Sequence, residues 1–163
     1  MPANLAYFIT FTTYGTWLHG DERGSVDDEH NTPGTPFARP SIRRNHANRS
    51  TMKWPEFNLD AKARGVVDRT IREVCVTRAW ALHALNVRSN HLHTVVSANA
   101  PAAKVMADLK AWCTRRLREA ECLARTAPAW TEGGSKRKLN TPESFHAAVH
   151  YVMHEQGANL PVE

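Results

Sequence analysis

Two histidines separated by one apolar residue stand in the run SNHLHTVV, Ser89 to Val96, and are the first candidates for chemistry in this chain. Thr94, Val95 and Val96 favour an extended backbone. Side chains alternate along a strand, so His91 and His93 project from one face while Leu92 enters the core on the other. Their α-carbons then lie roughly 6.5–7 Å apart. Two imidazoles at that separation can converge on one metal ion, and they can equally be hydrogen-bonded or exposed histidines near a strand end. A histidine-triad nucleotide hydrolase needs a third alternating histidine, and Val95 occupies that position. No further Cys or His pairing has the spacing of a structural metal site.

The second candidate is Tyr151, in YVMHEQG near the end of the chain. A helical stripe through Phe145, Ala148, Val149 and Val152 forms a buried face, and Tyr151 lies about 100° round from Val152, at its edge. His154 and Glu155 follow one turn on. A tyrosine at a core margin beside polar groups can act as a nucleophile, or simply keep its hydroxyl in water. The other two tyrosines are less suited. Tyr7 sits inside an apolar strand, and Tyr14 stands beside Gly15 with no helix to aim it.

The elements that must carry these residues can be read from periodicity. Leu5 to Thr13 reads as a strand, Ala61 to Ala79 as a helix with a stripe at Ala63, Val67, Ile71 and Val74, and Trp80 to Arg88 as a strand. Ser89-Asn90 is a turn leading into a second strand, His91 to Ala98, so the two form a hairpin. A helix follows Pro101, with a stripe at Val105, Leu109, Trp112 and Leu117, and fades by about Arg125. Gly133-Gly134 marks a turn between short extended pieces. Thr141-Pro142-Glu143 starts the last helix with a hydroxyl cap, a proline at the first position and an acid near the positive end. Gly157 is a plausible stop. Positions 17–60, rich in Gly and Pro, read as a long loop insertion. The expectation is one domain over 1–163, of α+β class, with a ferredoxin-like antiparallel sheet and helices packed on one face.

Composition sets the setting. The chain has 163 residues and a net charge of +5. No apolar run is long enough to span a membrane, and the N-terminus lacks the basic start of a signal peptide. Three widely spaced cysteines, Cys75, Cys113 and Cys122, suggest no disulfide framework and a reducing cytoplasm. The basic residues cluster: Arg39, Arg43, Arg44 and Arg49 in the loop, Lys110, Arg115, Arg116 and Arg118 on one helix, and Lys136 to Lys138 in a short run. A solvated surface explains any one cluster; three together point to a polyanion. Trp17 and Trp54 flank the basic loop and could stack on unpaired bases, whereas Trp112 lies on a helix stripe.

Four segments in order carry a resemblance: YFITFTTYGTWLHGDERG, LNVRSNHLHTVV, LKAWCTRRLRE and YVMHEQG. Together they resemble the single-tyrosine HUH transposases, which include insertion-sequence transposases and REP-associated tyrosine transposases. The resemblance implies a metal-dependent endonuclease and strand transferase acting on single-stranded or hairpin DNA through a 5′-phosphotyrosine. It implies that His91 and His93 bind Mg²⁺ or Mn²⁺ and that Tyr151 is the nucleophile. A polar residue on the tyrosine's helix completes the metal site in relatives, often four positions after the tyrosine. That position is Glu155 here; Gln156, one later, has the usual residue type and is favoured. The DNA contacts expected are Trp17, Arg43, Arg44, Lys110, Arg115 and Arg118. The family contains monomers and dimers, so a homodimer is a possible state. The alternative function is a catalytically silent protein that only binds DNA hairpins.

Overall fold

The structure, a computed structural model, describes residues 5–16, 53–158 and 160. Its elements are β1 (Ala6–Thr12), α1 (Ala61–Arg78), β2 (Ala81–Val87), β3 (His91–Ser97), α2 (Ala102–Glu119), β4 (Ser135–Leu139) and α3 (Pro142–His154). The strands form one sheet in the order β2-β3-β1-β4, and each neighbouring pair is antiparallel. This order and the βαββαβ connectivity are those of a ferredoxin-like fold, to which α3 is added. The expected α+β class and antiparallel sheet are therefore the observed ones.

The placement of the helices is different from the expected single-face arrangement. Tyr7, Ile9, Phe11, Leu92 and Val96 share a core with Val67 and Ile71 of α1 and with Val105, Leu109 and Leu117 of α2. Ala6, Ala84, Val95 and Leu139, which point the other way, are buried with Ala148 and Val152 of α3. Two helices thus cover one face and the third covers part of the opposite face. The cause is that the pleat of β1 and β3 is apolar on both sides over Ala6–Ile9 and Val95–Val96, so each face needs its own cover.

Helix ends follow local chemistry. Asp60 caps α1 by accepting from the Ala63 N–H at 2.8 Å, and Ala79 ends it in a left-handed conformation at φ 59°. Thr141 and Ser144 form a reciprocal capping box at the start of α3, with Pro142 just inside. Pairing two otherwise orphaned groups in this way fixes where α3 begins, and hence the phase of its later residues.

Tyr7 is built in as a packing residue: it is buried in the larger core and its hydroxyl donates to the Ala100 carbonyl at 2.8 Å. Cys75 and Cys113 are buried free thiols and Cys122 is half-buried. Burial pushes the Cys75 thiol up to about 11 and the Cys113 thiol higher still. Such groups stay protonated and inert. Of the expected loop insertion, positions 17–52 lie outside the described residues, and so do Trp17, Arg39, Arg43, Arg44 and Arg49.

Candidate active site

His91 and His93 open β3, with Leu92 between them fully buried on the far face. In the β1–β3 register His91 lies opposite Thr12 and His93 opposite Thr10. The two imidazole rings meet edge to face, with centroids 4.9 Å apart. His91 is half-buried, while His93 is 4% exposed.

The partners of each ring orient it. His91 Nδ1 lies 2.7 Å from the Asn90 side-chain carbonyl Oδ1. A carbonyl oxygen only accepts, so Nδ1 is the donor in this contact. His93 Nδ1 lies 2.6 Å from the Thr10 hydroxyl, which can donate or accept. Asn90 is itself fixed, since its backbone carbonyl accepts the Thr13 N–H at 2.9 Å. Hydrogen bonds of this kind on the second ring nitrogen set the tautomer and direction of a ligating imidazole.

Tyr151 reaches the same spot from α3. Its ring is 5.5 Å from that of His93 and 5.8 Å from that of Phe8, and Phe8 is in turn 5.8 Å from His93. Val152, the next residue, is fully buried and holds the helix to the sheet. Asn86 of β2 clamps this turn by donating to the Val152 carbonyl at 2.9 Å. Beyond the helix, Arg88 donates to the Ala158 carbonyl at 2.8 Å, pinning the chain after Gly157, which takes φ 82°.

That path returns Gln156 to the site. Its amide nitrogen donates to the Tyr151 carbonyl at 3.1 Å, and its side chain lies close enough to His93 to oppose the effect of burial on that imidazole. Glu155, the α3 cap, is exposed. The structure therefore brings Gln156 together with His91, His93 and Tyr151 and leaves Glu155 in solvent. Among the described residues, no group of three His, Cys, Asp or Glu side chains could hold a metal ion.

Burial pushes His93 down to about 3, helped by the neighbouring His91 and by Arg88, against an opposing effect of the Gln156 hydrogen bond. His93 is thus a neutral base at physiological pH, the form a metal ligand requires. Its folded value lies below the unfolded one, so the unfolded chain binds the extra proton between pH 6.5 and about 3. The contribution to stability is present above about pH 6.5 and is lost as pH falls toward 3. Urea unfolding of the metal-free protein between pH 8 and 4 should show this loss. His93→Gln should flatten the profile by up to about 1.4 kcal/mol per pH unit. Parallel profiles for the two proteins would contradict the assignment.

Three of the basic residues expected to meet DNA fall within the described residues. Lys110, Arg115 and Arg118 lie on α2, across the sheet from the histidines. Lys110 donates to the Thr131 and Gly133 carbonyls and stands 5.5 Å from the centre of the Phe11 ring. Burial lowers it to about 8. Arg115 pairs with Glu119 at 3.4 Å and lies 5.3 Å from the centre of the Trp112 ring. Arg118 donates to the Ala127 carbonyl at 3.0 Å. Trp54 is exposed and Trp112 half-buried.

The residues that sequence reading missed are Thr10, Phe8, Asn86, Arg88 and Asn90. Arg88 and Asn90 were in view within LNVRSNHLH, and their side chains are adjacent to the imidazoles in sequence. Thr10 and Phe8 carried no signal, because alternation in β1 does not reveal which strand lies beside it or in what register.

No protein-family model and no curated protein matches the sequence. Solved structures do match in shape. The REP-associated tyrosine transposase bound to a REP hairpin superposes with a TM-score of 0.50 at 10% identity, covering 93% of this chain and 66% of that one. A "putative transposase" from Deinococcus radiodurans R1 superposes with a TM-score of 0.47 at 14% identity, covering 97% of this chain and 95% of that one. The first likeness is one of fold, and this chain spans just under two thirds of that protein's length.

Proposed function

We propose that this chain is a single-strand DNA nicking and joining enzyme of the tyrosine transposase kind, with Tyr151 as nucleophile beside a divalent-metal site of His91, His93 and Gln156. The observation that carries the reading is the convergence of a helix-borne tyrosine, two strand-borne imidazoles and one amide on a single patch of sheet. Its fold is shared with a transposase that was solved bound to a DNA hairpin, which supports hairpin-bearing DNA as the substrate class.

The residues present fit a divalent cation. His91 and His93 offer imidazole nitrogens, His93 is neutral, and the Gln156 side chain, which donates from its amide nitrogen to the Tyr151 carbonyl, offers an amide oxygen as a further donor. Three neutral donors leave coordination open to phosphate oxygens and water. When bound, Mg²⁺ or Mn²⁺ supplies charge neutralisation and polarisation at the phosphodiester.

The chain's own residues do the rest. Phe8 and His93 flank the Tyr151 ring and restrict its rotamers, and the Asn86 clamp holds the turn that carries it. Restriction of this kind lowers the entropy lost in reaching the in-line geometry. The tyrosine oxygen loses its proton and forms a bond to phosphorus as the bond from phosphorus to the 3′ oxygen breaks. The products are a 5′-phosphotyrosine and, once the leaving oxygen takes a proton, a 3′-hydroxyl. One phosphodiester replaces another, so attack by a new 3′-hydroxyl rejoins DNA without ATP.

The reading is tested by incubating the protein with single-stranded DNA hairpins labelled at either end, plus Mn²⁺, and running a denaturing gel. A protein–DNA adduct that retains the 3′ segment of the strand, joined through its 5′ phosphate, is expected. Binding without any adduct would favour the hairpin-binding alternative. Affinity should also fall steeply with salt, because the chain carries a net charge of +5 and displaces counterions on binding. A flat salt response, or equal affinity for plain duplex, would count against a single-stranded DNA partner.

A further inference from the structure

Arg137 lies on the tyrosine's face of the sheet. It pairs with Phe8 across the β1–β4 ladder, and alternation with Leu139, which is buried against α3, places it on the face that carries His91, His93 and Tyr151. Its Nε is buried and has no hydrogen-bond partner among the described residues. A guanidinium offers donors only and keeps its charge at all relevant pH values, so a buried unmatched Nε–H is an arrangement that calls for a ligand.

The alternative is an edge-strand cation that merely blocks pairing with another strand. Lys138, exposed on the same edge strand, meets that need with its ammonium in water. The Arg137 side chain instead has its Nε packed against protein. The Phe8 ring lies 5.8 Å from that of Tyr151, and Arg137 starts one strand spacing, about 4.8 Å, beyond Phe8. Planar, bidentate recognition of a phosphate is what a guanidinium does better than an ammonium.

We propose that Arg137 binds a phosphodiester of the substrate strand, the linkage next to the one presented to Tyr151. This inference rests on the reading of Tyr151 as the nucleophile, and it makes Arg137 a positioning residue that sets which linkage is cut.

The test uses the whole 163-residue chain carrying Tyr151→Phe, so that binding is measured without cleavage, and hairpin oligonucleotides with a single uncharged methylphosphonate moved along the strand. Arg137→Gln should weaken binding about tenfold and lower the salt slope by about 0.7. One methylphosphonate position should weaken the Arg137 protein by the same factor and leave the Arg137→Gln protein unaffected. Arg137→Lys, a gentler change, should keep the salt slope but lose affinity severalfold, and it keeps the experiment decisive if the glutamine variant melts early. Unchanged affinity and slope in both variants, or an equal loss at every methylphosphonate position, overturns the proposal. If the unaltered chain forms no adduct yet the coupling to one linkage persists, the nucleophile reading fails and the phosphate contact stands.

Discussion

Tyr151→Phe is expected to bind hairpin DNA as the unaltered chain does and to form no covalent adduct. The substitution keeps the ring, and with it the contacts to Phe8 and His93 at 5.8 and 5.5 Å. It removes only the oxygen, which makes no hydrogen bond among the described residues, so stability should change by no more than about 0.5 kcal/mol. The effect on chemistry should be of a different size, because the oxygen proposed to bond to phosphorus is gone. Tyr7 cannot substitute: its hydroxyl is committed to the Ala100 carbonyl from the other face of the sheet. Peptide mapping of the adduct formed by the unaltered chain identifies the attacking residue directly. An adduct that survives Tyr151→Phe, or one that maps to Tyr7 or Tyr14, would show that the nucleophile is another residue.

Much of this site was legible in the sequence because its parts are local. A histidine–leucine–histidine run on a strand places two imidazoles on one face whatever the strand pairs with. The Thr141-Pro142 start and the Ala148–Val152 stripe set the phase of α3, and so the position of Tyr151 at its margin. What was not legible depends on long-range register. Thr10 meets His93 across 83 residues of sequence, through a ladder that no local pattern specifies. The third helix was expected on the same face as the others because its stripe shows that it buries a face, not which side of the sheet that face covers. Lys110 read as a surface cation on charge alone. The turn around Thr131–Gly133 captures it with two carbonyls. The choice between Glu155 and Gln156 was open for a related reason. The chain leaves the helical path at Glu155, so helical spacing no longer predicts direction, and the returning segment held by Arg88 turns Gln156 inward.

Replacing both His91 and His93 by alanine should abolish Mg²⁺- or Mn²⁺-dependent cleavage while most of the protein remains folded. The two substitutions differ in what they disturb. His91 is half-buried, and its removal takes one partner from the buried Asn90 side chain. His93 is buried between Phe8 and Tyr151, and its loss leaves the Thr10 hydroxyl unmatched, at a cost of about 1–3 kcal/mol. Leu92 stays in place between them, so the β3 ladder and the larger core are retained. Circular dichroism and a melting curve at low temperature should therefore show a folded, somewhat less stable protein. The loss in cleavage rate should be far larger. Charge neutralisation at a phosphodiester contributes several kcal/mol, on the order of a thousandfold in rate. Hairpin binding measured in chelator should change much less than cleavage, because the phosphate backbone supplies most of the affinity through the chain's cations. Gln156→Ala should fall between the unaltered chain and the double variant, since it removes one donor and leaves both imidazoles. The decisive measurement is adduct formation against metal concentration for the three proteins. If chelator-treated, unaltered protein cuts as fast as the metal-loaded form, then His91 and His93 act in some other way, and the patch is not a metal site.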